Sequence, residues 1–299
     1  MPTAMSDAAR ELVRKADQKL KGGFFSCLAG GRRYEEAAEL YQQAAIQFKL
    51  AKEFQEAADC YAQCAYCAQK AEDSIGEANY HMEAGSTLKK ISTSGAVEQY
   101  EMAIAIFSAR GQYNQSGKLL VSIAELYEAE NLENTEVKTC YQRAAEMFDL
   151  DDHGKSNLTK CNLKVAEYLA KGGELQEAIV LFESEGTKAL QNTLTQFGAK
   201  EHFLRAGILH LVAGDSVTVN LAVERYVHLD PRFASSREGE LLAALAEAYE
   251  AADVATFVDR LGAYDSVTKL DAWKTGLLLK VKESMQPAQG ASMESLDLS

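Results

Sequence analysis

An internal repeat of about forty residues runs through the first two thirds of this chain. The segment 34–48, YEEAAELYQQAAIQF, aligns with the segment 54–68, FQEAADCYAQCAYCA. Each begins with an aromatic residue, continues with Glu-Ala-Ala, and has a second aromatic residue seven positions after the first. The second aromatic position recurs in steps of 39, 41 and 41 residues, at Tyr61, Tyr100, Tyr141 and Phe182. A repeat of this length predicts units of two antiparallel helices.

The spacing within each repeat places the apolar residues on one helix face, at positions i, i+3, i+4 and i+7. Alanine lets the neighbouring helix approach closely, and the ring fills the space beside it. A second aromatic series lies between the first, at Tyr80, Tyr127 and Tyr168. Each helix pair buries its apolar face only by stacking on the next pair. The sequence therefore predicts an all-α, tetratricopeptide-like, right-handed superhelical solenoid, with a simple bundle of alanine-rich helices as the alternative.

Turn-forming sequences separate the predicted helices, as in LAKEF at 50–54, SARGQY at 108–113 and LAKGGE at 169–174. After about residue 190 the repeat pattern weakens, although four further segments keep a helical period. We expect helical hairpins over 1–190 and a C-terminal helical bundle over 191–286. The small and polar stretch 287–299 is expected to be a disordered tail.

The composition restricts the classes of partner. Apolar residues make up 47% of the chain, charged residues 25%, and the formal net charge is -13, so we expect a folded protein that does not bind nucleic acid. A run of about 18 apolar residues, as a membrane span requires, does not occur. The six cysteines form a poor disulfide framework, because three lie on one short helical stretch. These features predict a cytoplasmic protein with reduced thiols.

No catalytic, metal or cofactor site is expected. The sequence contains no phosphate-binding loop, dinucleotide-binding glycine pattern or nucleophile elbow. Cys60, Cys64 and Cys67 share one helix face, but thiolates on one straight helix converge poorly on a tetrahedral ion. We interpret them as small core residues. The histidines at 202 and 210 are about two helical turns apart, too far for one metal ion.

One segment, 22–31, does not follow the repeat. Glycine pairs at 22–23 and 30–31 flank Phe24, Phe25 and Leu28, and Arg32 and Arg33 follow. The rings either fold back against the first helix pair or insert into a membrane or partner. The sequence leaves both possibilities open.

The chain also resembles a known family over about residues 16–285. The segments that carry the resemblance are GGFFSCLAGG, YEEAAELYQQAAIQFKLAKEF, VSIAELYE, KCNLKVAEYLA, GAKEHFLRAGILH and YDSVTKLDAWKTGLLLKVKESM. They resemble the soluble NSF attachment proteins (SNAPs), most closely the gamma type, with the alpha and beta types as the second choice. The resemblance implies an adaptor that binds four-helix SNARE complexes of the syntaxin type and recruits the AAA+ ATPase NSF, without being an enzyme.

The resemblance also implies three working surfaces. A membrane-contacting loop, 22–31, matches at Phe24, Phe25 and Leu28, and implies weak peripheral membrane association. A SNARE-binding surface matches at Lys118, Lys160, Lys164, Lys200 and Arg205. An ATPase-binding end matches at Glu247, Glu250 and Asp253, with Leu296 or Leu298 as its terminal leucine. The tail departs from the alpha type, because it carries only two acidic residues.

A different binding function remains open at this stage. A tetratricopeptide-like scaffold can hold a short peptide tail of an unrelated partner in its groove. The repeat length of about 40 residues, rather than 34, is evidence against this alternative. An enzyme is the third and least supported interpretation.

Overall fold

The computed structural model describes residues 2–21 and 30–286, and these residues form an all-helical chain without β-strands. The chain divides into two compact units, Met1–Cys161 (unit 1) and Asn162–Ser299 (unit 2). The boundary between the two units lies inside one helix. The all-α prediction is confirmed, whereas the right-handed superhelical twist stays a prediction.

Unit 1 consists of consecutive helices joined by short turns. They are α1 (Pro2–Lys21), α2 (Gly30–Ala51), α3 (Phe54–Lys70), α4 (Ser74–Leu88), α5 (Thr93–Ala109), α6 (Tyr113–Ala129), α7 (Asn134–Asp149) and α8 (Lys155–Gly172), which continues into unit 2. From α1 to α7, each helix packs against the next. Helix α2 begins at Gly30, although the sequence predicts a loop as far as residue 31. Glycine is tolerated there because the backbone N–H groups of a first helical turn have no intrahelical partner.

The predicted alternation of alanines and rings forms the core of unit 1. Ala57 and Ala58 of α3 are buried, and the rings of Tyr41 and Tyr61 pack beside such alanines. The three neighbouring cysteines are also buried, and burial raises the pKa of Cys60 to about 12 and that of Cys67 to about 11. Their burial among the alanines and rings of the core confirms the interpretation of these cysteines as core residues.

Helical glycines allow the closest approaches between neighbouring helices. A Cβ atom on Gly85 would lie 2.6 Å from the Tyr100 ring, and one on Gly117 would lie 2.8 Å from the Phe148 ring. In unit 2 a Cβ atom on Gly186 would lie 2.7 Å from the Phe203 ring. Because a side chain at these positions would displace a buried ring, glycine and ring act as one packing unit.

The turns form where the sequence predicts them. Lys52, Gly111 and Gly173 adopt positive φ angles of 63°, 71° and 87° at the ends of α2, α5 and α8. Asp73 and Ser92 cap the following helices by accepting hydrogen bonds from the third backbone N–H group. These local signals set the ends of α2, α5 and α8 and the starts of α4 and α5.

Unit 2 is a helical bundle. It contains the end of α8, then α9 (Leu175–Leu190), α10 (Ala199–Ala213), α11 (Ser216–Leu229), α12 (Arg237–Glu250), α13 (Val254–Val267) and α14 (Ala272–Met285), with short 3-10 helices at Gln196–Gly198 and Pro231–Phe233. The change of pattern predicted at residue 190 coincides with the last residue of α9. The division into domains at that residue stays a prediction, and the sequence pattern did not reveal α13.

Helix α10 is the centre of this bundle and packs against α9, α11, α12 and α14. Phe203 on α10 stacks on Tyr226, with ring centroids 4.7 Å apart, and both rings meet the edge or face of Phe233. Residues around the whole circumference of α10 are buried. A helix surrounded on all sides loses the one-sided apolar pattern, which explains why the repeat is weak here.

Candidate functional site

Two of the five expected SNARE-binding cations have exposed side chains. Lys118 lies on α6, and Lys160 lies on α8. The backbone carbonyl of Lys118 accepts a hydrogen bond from the Ser122 hydroxyl group at 3.1 Å. Exposed ammonium groups at such positions suit electrostatic recognition of an acidic partner.

Two further cations pair with carboxylates but keep part of their surface in solvent. Lys164 lies one turn after Lys160 on α8, and its Nζ atom is 3.9 Å from the Glu167 carboxylate. Lys200 on α10 has its Nζ atom 3.0 Å from Glu238, whose side chain is 10% exposed. The largely buried carboxylate of Glu238 holds the outer part of Lys200 in a defined place.

Arg205 differs from the four lysines because its side chain is only 16% exposed. The resemblance implies a partner-facing cation, whereas the structure turns this guanidinium group into unit 2. It contacts three carboxylates: Nη1 lies 2.5 Å from Glu167 on α8, Nε lies 3.0 Å from Glu201 on α10, and Nη2 lies 2.9 Å from Asp271, which caps α14. Arg205 therefore joins three helices.

Trp273 of α14 completes this arrangement. The Arg205 guanidinium carbon lies 5.2 Å from the centre of the indole ring, within the range of a cation–π interaction. The indole Nε1–H donates a hydrogen bond to the backbone carbonyl of Glu167 at 3.4 Å. We call Arg205, Trp273 and the carboxylates of Glu167, Glu201 and Asp271 the Arg205 clasp.

Arg205 and Asp271 of the clasp are both charged at neutral pH. Burial by itself lowers the pKa of Arg205, but the three carboxylates more than offset this effect and the net pKa is raised. Burial raises the pKa of Asp271, while the Lys274 backbone N–H, Arg205 and the Lys274 ammonium group lower it below its ordinary value. Lys274 is itself 5% exposed and lies 2.6 Å from Glu201. Charges that satisfy one another in this way favour one fixed arrangement of the helices.

The expected ATPase-binding acids lie together at one end of unit 2. Glu247 and Glu250 are exposed in the last turn of α12, and Asp253 is exposed before α13. The Asn220 side chain donates a hydrogen bond to Glu250 at 3.0 Å, which brings the start of α11 to the same end. Asp215 caps α11 there and adds a fourth exposed acid. We call Asp215, Glu247, Glu250 and Asp253 the acidic edge.

Both capping acids of this edge remain ionised at neutral pH. Hydrogen bonds from the Thr218 hydroxyl and backbone groups lower the pKa of Asp215, and Thr256 does the same for Asp253. The last turn of α12, all of whose residues the structure describes, contains no basic residue. Acidic residues at that position oppose the helix dipole, so Glu247 and Glu250 contribute surface charge rather than helix stability.

The carboxylate of Glu183 on α9 is also largely buried, and it faces α11. Glu183 accepts a hydrogen bond from the Tyr226 hydroxyl group at 2.6 Å and contacts Arg225 and, at 3.3 Å, His210. Burial raises the pKa of Glu183, but these hydrogen bonds and charges lower it overall. The open cleft above them has a volume of about 250 Å³ and includes the apolar side chains of Val180 and Leu229.

The remaining expected site residues fall outside the described part of the chain. These are Phe24, Phe25 and Leu28 of the membrane-contacting loop, together with Leu296 and Leu298 of the tail. None of the helices within residues 2–21 and 30–286 combines the length and the apolar composition of a membrane-spanning segment. Within the same ranges, no group of three or more His, Cys, Asp or Glu side chains is arranged to hold a metal ion.

The family model for the soluble NSF attachment protein matches residues 7–286. This match includes the exposed lysines, the Arg205 clasp and the acidic edge. The chain belongs to the soluble NSF attachment protein family. Family membership is thereby established for nearly the whole sequence.

Individual SNAP proteins match over comparable lengths. The alpha-soluble NSF attachment protein of Vitis vinifera is 38% identical over 278 residues, covering 92% of this chain and 93% of the relative. That of Homo sapiens is 34% identical, covering 93% and 95%. The probable vesicular-fusion protein sec17 homolog of Schizosaccharomyces pombe is 32% identical, covering 93% and 96%. These relatives do not distinguish the gamma type, which stays a prediction.

The fold of this SNAP-family chain is similar to that of a solved helical repeat protein. The structure is that of a signal-transduction ATPase with numerous domains and a tetratricopeptide repeat sensor from Pyrococcus horikoshii. The TM-score is 0.52 at 13% identity, covering 94% of this chain and 44% of that one. At this identity the similarity concerns the fold alone, and it agrees with a tetratricopeptide-like architecture.

Sequence reasoning missed Asp215, Asp271, Trp273 and Lys274 as parts of these sites. Asp215 and Asp271 follow the same pattern as Asp253, an aspartate directly before a helix, which predicts a cap. Trp273 is the only tryptophan in the chain. Neither signal reveals the contact with Arg205, which lies more than sixty residues away along the sequence.

Proposed function

We propose that this SNAP-family protein is an adaptor that binds assembled SNARE complexes and recruits the ATPase NSF, which then disassembles them in vesicle fusion and intracellular transport. The match of the family model to residues 7–286 is the observation that carries the proposal. Relatives named for NSF attachment and for vesicular fusion support both the partner and the process. The ATP chemistry belongs to NSF, so this protein supplies no catalytic residue, metal or cofactor.

The SNARE-binding surface consists of Lys118, Lys160, Lys164 and Lys200. Their ammonium groups meet the acidic surface of the four-helix SNARE bundle as separate ion pairs. An exposed ion pair contributes about 0–1 kcal/mol, so the interaction depends on several lysines acting together. Such contacts set the rate and register of binding and weaken with salt.

The acidic edge and the terminal leucines form the NSF-binding end. Glu247, Glu250 and Asp253 present exposed carboxylates for a basic surface of the ATPase, and Leu296 or Leu298 adds an apolar contact. The exposed positions of Glu247 and Glu250 support the proposal, since these two acids stabilise their own helix little.

The loop 22–31 makes the membrane contact. Burying Phe24, Phe25 and Leu28 in a membrane contributes about 1.5–3 kcal/mol for each side chain, before the cost of ordering the loop. One loop therefore attaches the protein weakly and reversibly. The protein is cytoplasmic and becomes peripheral on membranes when several copies bind one SNARE complex.

Co-sedimentation with preassembled SNARE complex and NSF, followed by disassembly on addition of ATP, tests the proposal. The unaltered protein and a K118Q/K160Q/K164Q variant are compared at two salt concentrations. The triple variant should bind SNARE complex about 5- to 150-fold more weakly at low salt, corresponding to about 1–3 kcal/mol. Its affinity should also change less with salt, because fewer ion pairs form.

Lys89→Gln is the matched control, because Lys89 is an exposed lysine at the end of α4 outside the proposed surface. It should bind like the unaltered protein at both salt concentrations. Failure of the unaltered protein to bind SNARE complex and support its disassembly contradicts the proposed function. Equal losses for the control and the triple variant contradict the proposed surface.

A further inference from the structure

The Arg205 clasp connects a helix of the proposed SNARE-binding surface to the last described helix of the chain. Glu167 of α8 lies 3.9 Å from Lys164 through one carboxylate oxygen and 2.5 Å from Arg205 through the other. On the far side of Arg205, Asp271 caps α14. A continuous series of charged contacts therefore runs from Lys164 to α14 within unit 2.

Helix α14 ends at Met285 and leads to the tail that carries Leu296 and Leu298. A load that NSF applies to this tail enters the fold through α14. The buried apolar residues of α14 are Leu277, Leu278, Val281 and Met285, which lie after its first turn. The first turn is held by Asp271 and Trp273 of the clasp, by the ion pair of Lys274 with Glu201, and by the contact of the Trp273 ring with Phe182 at 5.5 Å.

The geometry of Arg205 is unlike that of a docking cation. Its Nε, Nη1 and Nη2 atoms all face carboxylates, and the guanidinium carbon lies 5.2 and 5.9 Å from the centres of the Trp273 and Phe182 rings. A planar guanidinium group is suited to bind several carboxylates at once, whereas a lysine ammonium group is not. A partner could engage Arg205 only by taking it away from these acids.

We infer that Arg205 is a positioning residue that couples SNARE binding at α8 to the NSF-facing helix α14, rather than a residue that contacts the SNARE bundle. This inference rests on the proposed function. The clasp keeps α14 fixed relative to α8, so that force applied at the tail reaches the bound SNARE complex. Without the clasp, SNARE binding persists while NSF-driven disassembly slows.

The sole tryptophan of the chain makes the clasp directly observable. Trp273 contacts both Arg205 and the Glu167 carbonyl, so its fluorescence reports whether the clasp is closed. Asp271→Asn is the mildest variant, because asparagine still caps α14 but no longer pairs with Arg205 as an anion. Arg205→Gln removes all three ion pairs of the clasp. Arg143→Gln is the matched control, since Arg143 makes a two-bond pair with Glu101 in unit 1 at 2.6 and 2.9 Å.

The experiment measures SNARE affinity at two salt concentrations, NSF-driven disassembly at saturating adaptor, and acrylamide quenching of Trp273. In D271N and R205Q we expect increased quenching, unchanged SNARE affinity and salt dependence, and slower disassembly. The slowing should be about tenfold in R205Q, equivalent to ~1.4 kcal/mol, and smaller in D271N, which removes one of the three ion pairs. R143Q should leave quenching and disassembly unchanged. Circular dichroism tests whether each variant is folded. If R205Q is not folded, D271N alone tests the inference.

Two results overturn the inference. In the first, R205Q loses SNARE affinity and salt dependence to the same extent as Lys160→Gln, which would make Arg205 a docking cation. In the second, disassembly by D271N equals that of the unaltered protein although Trp273 quenching has increased. If the unaltered protein neither binds SNARE complex nor supports its disassembly, the proposed function itself fails. That failure is distinguishable from failure of the inference, because it is seen in the unaltered protein and not only in the variants.

Discussion

Replacing Gly117 by alanine should destabilise the protein, although alanine is the better helix former. Gly117 lies within α6, where the substitution by itself favours the helix by about 1 kcal/mol. A Cβ atom there would lie 2.8 Å from the ring of Phe148, which is 1% exposed. Ordinary van der Waals contact requires about 3.5–4.0 Å, so the ring must move by roughly 1 Å into packed neighbours. Overpacking of this kind costs about 1–3 kcal/mol, so the expected net destabilisation is about 1 kcal/mol.

Gly262→Ala provides the matched control. Gly262 is exposed on α13, and a Cβ atom there would meet nothing within 4 Å. The same substitution should therefore stabilise the protein by about 0.5–1 kcal/mol. The two variants are compared by urea unfolding, with far-UV circular dichroism for the whole chain and Trp273 fluorescence for unit 2.

A double-mutant cycle with Phe148→Leu identifies the cause. Leucine removes the ring atoms that a Cβ on Gly117 would meet, so Gly117→Ala should cost less in this background, with a coupling energy of about 1 kcal/mol or more. If Gly117→Ala stabilises the protein as much as Gly262→Ala, the account of glycine and ring as one packing unit is wrong.

Three further predictions concern charge, acid stability and membranes. Asp253→Asn should keep the cap on α13 and weaken NSF recruitment in co-sedimentation, whereas Asp253→Ala should also lose about 1 kcal/mol of stability in urea; equal NSF binding by all three proteins would contradict a role for this charge. The lowered pKa of Glu183 means that its stabilisation is present above the unfolded-state pKa of about 4.3 and is lost as the pH falls through the folded-state pKa. Unfolding of Glu183→Gln at pH 7 and pH 3 should therefore show a smaller loss on acidification than the unaltered protein, and an identical loss would refute this assignment. Changing Phe24 and Phe25 to serine should slow disassembly of SNAREs in liposomes and spare soluble SNARE complexes; equal losses in both assays would indicate a folding role for the rings.

The helices of unit 1 were predictable because their signals are local. Each signal affects only the backbone within a few residues. These signals are the spacing of alanines and rings, the glycines at 111 and 173, and the helix caps. The same signals failed for α13, which has no strong repeat pattern, and at Gly30, where glycine falls inside the first turn of a helix rather than in the loop before it. The family resemblance rests on residues spread along the chain, which is why it could be recognised without coordinates.

The sequence by itself determined the helical class, the repeat, the turns and the acidic character of the chain, because each depends on neighbouring residues or on composition. Only the tertiary structure decided the environment of each charge. Arg205 looks like Lys200 in the sequence, yet two of its three carboxylate partners lie 38 and 66 residues away, and its side chain is only 16% exposed, while Lys200 keeps a solvent-facing side. The physical reason is that electrostatic environment depends on distances in space and on the loss of water, and neither can be read from the spacing of residues along the chain.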